Sequence, residues 1–241
     1  MTTCRRRGGI GRKGSGAHRS ARQGAVPGQT AGVAVHFEEV LRRADEAGSP
    51  SGPGRAGRPR LNLGSGTDHR DGYVNLDVVA LKGVDVVARL GAEPLPFPDA
   101  TFGLVLARDV LEHVDAVAAL REIHRVTAPG GRVVVSAVHF TSRNLYVDPT
   151  HVRGYSARTF EFFAGGGDSL WGRPYYFDFA FGAVEYVAVQ FSTTLGKGRY
   201  LVWDRAVEPV VNSSRAAQDL YEMTFLSRLF PAANVVAVLR R

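Results

Sequence analysis

The stretch that most constrains this chain is PRLNLGSGTDHRDGYVNLDVV, residues 59–79, in which two apolar runs flank a glycine turn. Residues 60–63 predict a short strand, and the turn Gly64-Ser65-Gly66 follows it directly. Glycine adopts positive φ without steric cost and lets the backbone approach a ligand closely. Residues 73–79 predict a second strand with Asp77 near its end, where a carboxylate can accept both hydroxyls of a ribose. The pattern therefore predicts a nucleoside pocket at the carboxyl edge of a parallel sheet.

The spacing within this stretch distinguishes between kinds of nucleotide. A dinucleotide site has a third glycine that opens a helix, and an acidic residue about 20 residues further on. Here His69 stands at the third glycine position, and Asp77 follows Gly66 by only 11 residues. A pyrophosphate-binding helix has little room, so the pattern favours a ligand that has a ribose but no pyrophosphate. An ordinary Gly-x-Gly turn without a ligand is the alternative.

The length and composition restrict the class of protein. A chain of 241 residues, 44% of them apolar, predicts one domain with an extension and a sizeable core. Its single cysteine, Cys4, excludes an intrachain disulfide and a cysteine-based metal site. No run of about 18 apolar residues suggests a membrane span, and the first 30 residues lack the apolar segment of a secretory signal. We therefore expect a cytoplasmic protein with no membrane contact.

The net charge of +7 is concentrated in the first part of the chain. Residues 1–60 carry 12 basic and 4 acidic side chains, a net charge of +8, whereas residues 61–241 carry 18 and 19, a net charge of −1. Residues 1–33 predict a disordered basic leader, because they have too few apolar side chains to form a core. A transit peptide and a nucleic-acid-binding arm are the alternatives. The nearly neutral remainder makes nucleic acid an unexpected partner.

Helices and strands alternate after the leader. Residues 34–58 predict an amphipathic helix, 34–47, and a linker rich in glycine, proline and serine. The further predicted strands are 84–88, 101–107, 132–138, 184–192 and 234–239, and the further helices are 108–127, ended by Pro129-Gly130-Gly131, and 213–229. Strands that alternate with helices on short loops indicate an α/β fold with a mostly parallel sheet.

Four motifs in residues 59–139 carry a family resemblance: LNLGSG, GYVNLD, LPFPDATFGLVLARDVLEHV and REIHRVTAPGGRVVVSAV. In this order and spacing they resemble class I S-adenosylmethionine-dependent methyltransferases. The resemblance implies a Rossmann-like, seven-stranded, mostly parallel sheet with helices on both faces and an antiparallel last strand. The segments DPTHVRGYSARTF and LFPAANVVAVLRR are similar to small-molecule, sugar-modifying or natural-product members. Residues 59–139 would then bind the cofactor, and residues 140–241 would form the substrate-binding and C-terminal part of the same domain.

The resemblance also implies a cofactor site. The turn Gly64-Ser65-Gly66 would lie beneath the methionine part of S-adenosylmethionine, and Asp77 would hold the ribose. The other implied residues are Asn62 near the amino group, Val78 and Leu90 against adenine, Ala107 and Arg108 on the methionine side, and His113 in the surrounding shell. The chain departs from the family pattern at Arg89 and Gly103, where aspartates are frequent, which puts the adenine contact and the register of the fourth strand in question.

Two histidines are candidate general bases for methyl transfer to a hydroxyl group. His139 ends the fifth predicted strand and His151 lies in DPTHVR, and histidine's ordinary pKa of roughly 6.5 suits proton removal near neutrality. The alternative for each histidine is that it only forms a hydrogen bond to a loop or to the substrate. The candidate substrate-binding residues around them are Arg143, Tyr146, Asp148, Arg153 and Tyr155. His139, Asp148 and His151 form a weaker alternative, a metal site, and we do not assign a metal from the sequence.

The sequence thus predicts a methyltransferase that moves a methyl group to an oxygen, or a nitrogen, of a small molecule and releases S-adenosylhomocysteine. A homodimer is compatible with this prediction. One alternative is a methyltransferase of nucleic acid or protein, which the basic leader supports weakly. The other is a cofactor-binding protein of the same fold that transfers no methyl group.

Overall fold

A computed structural model of the chain describes residues 36–48, 57–165, 176–191 and 206–241. The predicted basic leader, 1–33, and most of the predicted linker lie outside the described residues. The helices are α1 Phe37–Gly48, α2 Ala116–Val126, α3 Asn144–Val147, α4 Glu208–Val211, α5 Arg215–Met223 and α6 Leu226–Leu229. The strands are β1 Arg60–Leu63, β2 Tyr73–Asp77, β3 Val86–Val87, β4 Phe102–Arg108, β5 Thr127–Val138, β6 Ala183–Gln190 and β7 Asn234–Arg240. Short 3-10 helices span Leu111–His113 and Thr159–Phe163.

The seven strands form one sheet in the order β3-β2-β1-β4-β5-β7-β6. The first five strands pair in parallel, and β7 pairs antiparallel with both β5 and β6. The predicted fold class, a mostly parallel seven-stranded sheet with an antiparallel last strand, is therefore confirmed. From β1 the chain continues to β2 and β3 on one side of the sheet, and then returns to β4 and β5 on the other side of β1. Open α/β sheets bind their ligands where the strand order reverses in this way, outside the carboxyl ends of the strands.

The two faces of the sheet are covered unequally. The main core lies between one face and helices α2 and α5, with Leu120 and Tyr221 packed against residues such as Val135 and Val235. On the opposite face, the described cover is α1, whose Phe37 and Leu41 belong to the smaller core cluster there. The connection between β1 and β2, residues 64–72, contains no helix, which leaves the glycine turn close to the strand ends.

Two predicted helices are shorter than the sequence indicated. The predicted helix 108–127 is a 3-10 turn followed by α2, which begins at its N-cap Asp115 and ends at Val126, so that Pro129-Gly130-Gly131 lies inside β5. The predicted helix 213–229 is interrupted at Thr224, whose hydroxyl donates to the Leu220 carbonyl. That hydrogen bond ends α5, and a separate turn, α6, follows it.

Candidate functional site

The glycine turn after β1 forms a cradle at the carboxyl edge of the sheet. Gly64 has φ 62° and Gly66 has φ 49°, both in the left-handed region that favours glycine. A Cβ atom on Gly64 would lie 2.6 Å from Cγ2 of Val110, so the backbone there fits closely against the start of the 3-10 turn. A Cβ atom on Gly66 would meet nothing within 4 Å. The glycine turn is thus closely packed at Gly64 and has open space at Gly66.

Asp77 lies at the tip of β2 and faces this turn. Its Oδ2 accepts a hydrogen bond from the Gly66 backbone N–H at 2.8 Å, and its Oδ1 accepts one from the Val79 N–H at 2.9 Å. These two bonds fix the orientation of the carboxylate, and each oxygen keeps a further lone pair for a hydroxyl group. The structure therefore holds the predicted ribose acceptor beside the predicted glycine turn.

Apolar surface lies next to this carboxylate. Val78 and Val79 directly follow β2, and their exposures are 51% and 53%. The resemblance implies that Val78 packs against adenine, and an exposed apolar side chain beside a ribose acceptor suits that contact. The hydroxyl of Ser65 is buried and has no hydrogen-bond partner among the described residues. The open cradle, the fixed carboxylate and the exposed valines together fit a nucleoside-type cofactor.

Asn62, which the resemblance places near the amino group of the cofactor, also holds the glycine turn. Its side chain is buried, and its amide donates to the Asp68 carbonyl at 2.9 Å and to Oδ1 of Asn75 at 3.0 Å. Both hydrogens of the amide are therefore used to hold the β1–β2 connection against β2. These bonds make Asn62 a support of the glycine turn, and they leave its amide oxygen, the acceptor that an amino group would need, unused by the described residues.

A cluster of charged side chains lies beside the glycine turn and connects α1 to the edge of the sheet. Arg70 donates to both carboxylate oxygens of Glu38 on α1, at 2.7 and 2.9 Å, and lies 3.2 Å from Asp68. Arg108, at the end of β4, lies 3.6 Å from Glu38 and from Asp68 and covers the ring of Phe37 at 5.0 Å. The first turn of α1 is thus tied to the carboxyl edge of the sheet. The sequence analysis did not identify Arg70. Its position in the connection between β1 and β2 was the only indication that it would lie near the site.

Leu90 and Ala107, two other implied cofactor residues, are buried in the main core. Ala107 is fully buried within β4, which pairs in register with β1 from Leu104 to Ala107. Gly103 lies where the pairing of β4 with β5 shifts register, between Phe102 and Leu104. Gly103 therefore coincides with a register shift between β4 and β5, whereas the register between β4 and β1 is regular.

His139, one of the two predicted bases, is fully buried with both ring nitrogens engaged. Its Nδ1 lies 2.7 Å from Oγ1 of Thr141, and its Nε2 lies 3.1 Å from Oε1 of Glu222 on α5. The same Glu222 oxygen accepts the N–H of Ala157. A base needs a ring nitrogen that faces the acceptor, so the geometry opposes this prediction and favours a role in joining β5 to α5.

The other predicted base, His151, lies in a cluster with His113 and Asp148. The possible ligand atoms of these three residues all lie within 4.8 Å of one another, and the two imidazole rings are 4.5 Å apart between centroids. His113 follows β4, while Asp148 and His151 follow β5, so the cluster is at the carboxyl edge of the sheet. The structure brings His113 to the predicted substrate side, although the resemblance implied a place near the cofactor.

The hydrogen bonds of the cluster determine which ring nitrogens are free. The backbone carbonyl of Asn144 lies 3.0 Å from Nδ1 of His151 and can only accept, so that nitrogen carries the hydrogen. The Thr150 hydroxyl donates to Asp148 at 2.6 Å and lies 2.7 Å from Nδ1 of His113, so it accepts from that ring. Both imidazoles therefore present the lone pair of Nε2.

The charge states in the cluster follow from its surroundings. Partial burial and the neighbouring His151 lower the pKa of His113, so its imidazole is neutral at pH 7. Hydrogen bonds from the hydroxyl and the backbone N–H of Thr150 lower the pKa of Asp148 and keep it ionised. The cluster thus combines neutral imidazole nitrogen with a carboxylate.

The remaining predicted substrate residues separate into two groups. Tyr155 is buried, donates its hydroxyl to the Leu111 carbonyl at 2.9 Å and stacks on Phe160. Burial raises its pKa, and no part of the side chain is free to contact a substrate, so the structure opposes that prediction. Arg143, Tyr146 and Arg153 are exposed around the histidine cluster, where a polar or anionic molecule can reach them.

Glu112 is a buried acid that the sequence analysis did not identify. Its Oε1 accepts the Val138 N–H at 3.2 Å, its Oε2 has no partner among the described residues, and its exposure is 2%. Burial, followed by the charge of Asp109, raises the pKa of Glu112 to about 7. The sequence feature that could have indicated a buried acid is a single glutamate within the largely apolar segment VLEHV.

Parts of the chain are similar to known proteins. Residues 66–135 match the family described as "Methyltransferase domain". The chain is similar to the protein YafE of Escherichia coli K12, with 36% identity over 99 residues, which are 34% of this chain and 48% of the relative. It is also similar to an uncharacterised methyltransferase of Schizosaccharomyces pombe, with 48% identity over 60 residues, which are 24% of this chain and 22% of the relative. The chain thus spans about half, or less, of the length of these curated relatives.

Two solved structures share the fold. One is a SAM-dependent methyltransferase from Archaeoglobus fulgidus, with a TM-score of 0.51, 19% identity, and coverage of 86% of this chain and 95% of the other. The second is the YcgJ protein from Bacillus subtilis, with a TM-score of 0.50, 18% identity, and coverage of 85% and 98%. The chain therefore has the fold of these structures, and its residues 66–135 are similar to a methyltransferase domain. Within the described part of the chain, no helix is both long and apolar enough to cross a membrane.

Proposed function

We propose that this protein is a methyltransferase that moves a methyl group from S-adenosylmethionine to an oxygen, or a nitrogen, of a small molecule such as a sugar or a specialised metabolite. The observation that carries the proposal is the contact of Asp77 with Gly66 at an open glycine cradle. When bound, the cofactor supplies an activated methyl group for in-line displacement. The protein's part is to bind both molecules, hold the acceptor in line and provide for loss of its proton.

The charge distribution supports a small acceptor. Residues 61–241 have a net charge of −1, whereas a nucleic-acid surface needs an excess of lysine and arginine to neutralise phosphates. The exposed side chains Arg143, Tyr146 and Arg153 offer contacts for a polar or anionic molecule next to the histidine cluster. The basic leader remains the argument for nucleic acid or protein as acceptor. Deletion of residues 1–33 should leave activity on a small molecule intact and would abolish activity that depends on the leader.

A histidine general base remains a prediction, and His151 is its better candidate. Its Nδ1 is held by the Asn144 carbonyl, and its Nε2 presents a lone pair at the carboxyl edge. A positioned base contributes about 10²–10⁴-fold to the rate. The variant His151→Ala should therefore lose that factor in kcat while it retains cofactor binding, and His139→Ala should instead lower thermal stability.

Titration calorimetry with S-adenosylhomocysteine tests the proposed function. We expect one site per chain with an affinity in the micromolar range, which is ordinary for enzyme ligands. Incubation with methyl-labelled S-adenosylmethionine and a panel of hydroxylated small molecules, transfer RNA and protein then identifies the acceptor class. A folded protein that binds no S-adenosylhomocysteine would contradict the proposal. Binding without turnover on any acceptor would favour the alternative of a cofactor-binding protein that transfers no methyl group.

A further inference from the structure

The cluster of His113, Asp148 and His151 has the composition and the hydrogen-bond geometry of a metal site. Two imidazole nitrogens and one carboxylate are a ligand set for zinc and other first-row divalent transition metals. Thr150 and the Asn144 carbonyl hold the hydrogens on the two Nδ1 atoms, so both Nε2 lone pairs are available. Oδ1 of Asp148 accepts both bonds from Thr150, which leaves Oδ2 free, 4.0 Å from Nε2 of His151.

We propose that Nε2 of His113, Nε2 of His151 and Oδ2 of Asp148 bind a divalent transition metal ion at the carboxyl edge of the sheet. Ligands at about 2.0–2.2 Å from an ion lie roughly 3–3.5 Å apart. One possible ligand atom of each residue lies within 4.8 Å of the others, and Nε2 of His151 lies 4.0 Å from Oδ2 of Asp148, so the separations must close by up to about 1.5 Å. His113 is exposed at the end of the 3-10 helix Leu111–His113, and Asp148 is partly exposed directly after α3, so both side chains have room to rotate toward an ion.

The surroundings of the three residues resemble those of metal-binding histidines. A ligating histidine generally donates its second ring N–H to a carbonyl, a carboxylate or another fixed acceptor, which sets the tautomer and the ring orientation. His151 makes this bond to the Asn144 carbonyl, and His113 makes it to the Thr150 hydroxyl. Thr150 in turn is anchored on Asp148. One threonine therefore orients two of the three ligands.

The position of the site indicates a role in acceptor binding. Three protein ligands leave at least one coordination position open, and the exposed residues Arg143, Tyr146 and Arg153 belong to the same segment, 143–153, as Asp148 and His151. An ion there would bind a hydroxyl oxygen of the acceptor and lower its pKa, and the released proton would pass to water. In this form His151 is a metal ligand and not the general base. This role rests on the proposed function, but binding of the ion does not.

The experiment is a titration of the full-length, metal-stripped protein with Co²⁺ and Zn²⁺. We expect one ion per chain by calorimetry, and visible Co²⁺ absorption bands that Zn²⁺ abolishes. The variants His113→Ala, Asp148→Asn and His151→Ala should each weaken binding at least tenfold. Thr150→Val, which removes the orienting hydroxyl, should weaken it by about 10–100-fold. His36→Gln, at an exposed histidine in front of α1, is the matched control and should bind as the unchanged protein does.

Two outcomes would overturn the inference. One is the absence of saturable Co²⁺ binding in a protein that is folded by circular dichroism. The other is binding that the three ligand variants leave unchanged or that His36→Gln weakens equally. Calorimetry with S-adenosylhomocysteine on the same samples separates this inference from the proposed function. Cofactor binding without metal binding contradicts only the metal site, and metal binding without cofactor binding contradicts only the proposed function. Activity that survives chelation would assign proton removal to His151 as a free base.

Discussion

The carboxylate of Asp77 accepts the backbone N–H of Gly66 at 2.8 Å, and this hydrogen bond joins the tip of β2 to the glycine turn that follows β1. Eleven residues separate the two positions in the chain, yet parallel pairing of β1 with β2 places them side by side. The contact gives the turn a defined shape before any ligand binds. It also orients the carboxylate toward the open side of Gly66.

Replacement of Asp77 tests this relationship. Asp77→Asn keeps the size of the side chain but removes the charge and one acceptor oxygen. Because a hydrogen bond to a charged group contributes about 1.5–3 kcal/mol, affinity for S-adenosylhomocysteine should fall on the order of 10–100-fold in calorimetry. The control is Asp71→Asn, an exposed acid in the same connection, which should bind normally. Equal affinity of the two variants would mean that Asp77 does not hold the ribose.

Alanine at the two glycines of the turn should have two different effects. Gly64→Ala places a methyl group 2.6 Å from Cγ2 of Val110 at positive φ, and it should lower the melting temperature severely. The methyl group of Gly66→Ala has open space around it, so the substitution should lower the free energy of unfolding by only about 1–2 kcal/mol, because alanine disfavours the left-handed backbone conformation. The same methyl group should obstruct binding of the cofactor. Differential scanning calorimetry and ligand titration measure the two effects.

Gly130→Ala is the matched control for Gly66→Ala. Gly130 has φ 77° and open space around its missing Cβ atom, but it lies in β5 near the opposite end of the sheet. It should show the same loss of stability with unchanged affinity for S-adenosylhomocysteine. Parallel losses of affinity in both variants would mean that the effect of Gly66→Ala is one of general stability.

Tyr155→Phe should affect folding and not substrate binding. The change removes the hydrogen bond to the Leu111 carbonyl and should lower the free energy of unfolding by about 1 kcal/mol, with KM for any acceptor unchanged. Urea denaturation measures the first quantity and steady-state kinetics the second. Tyr146→Phe, at an exposed ring, should leave stability unchanged. A raised KM in Tyr155→Phe with full stability would restore the sequence-based prediction that Tyr155 contacts the substrate.

Glu112 should make stability depend on pH. Its pKa is raised from 4.5 to about 7 in the folded protein, so folding is favoured fully below pH 4.5, where the group is protonated in both states. As the pH rises to 7, the unfolded chain loses the proton first, and stability falls by on the order of 3 kcal/mol. Above pH 7 this contribution is constant.

Glu112→Gln should remove that pH dependence. Relative to the unchanged protein, it should gain about 2–3 kcal/mol between pH 5 and pH 8, measured as the difference in urea unfolding at the two pH values. Glu93→Gln, at an exposed acid, is the control and should follow the unchanged protein. A constant difference between Glu112→Gln and the unchanged protein at both pH values would show that Glu112 is ionised in the folded state at pH 5.

The sequence by itself determined the sheet and the glycine turn with its carboxylate. Apolar runs indicate strands, the two glycines of the turn permit positive φ, and strands that alternate with helices on short connections indicate a parallel sheet. The seven-stranded form with an antiparallel last strand was implied by the family resemblance. The predicted pocket of the glycine turn and Asp77 needed only that β1 and β2 be neighbours, and their hydrogen bond was found in the structure. The tertiary structure decided the roles of the polar residues after β4 and β5.

His139 and His151 look equivalent in the sequence, but the fold buries the first against Glu222 and places the second beside His113 at the sheet edge. Tyr155 likewise looks available in the sequence, but the fold buries it and its hydroxyl donates to the Leu111 carbonyl, 44 residues away in the chain. Which polar groups remain free depends on partners that only folding brings within 3 Å. No periodicity or motif in a single sequence encodes that information.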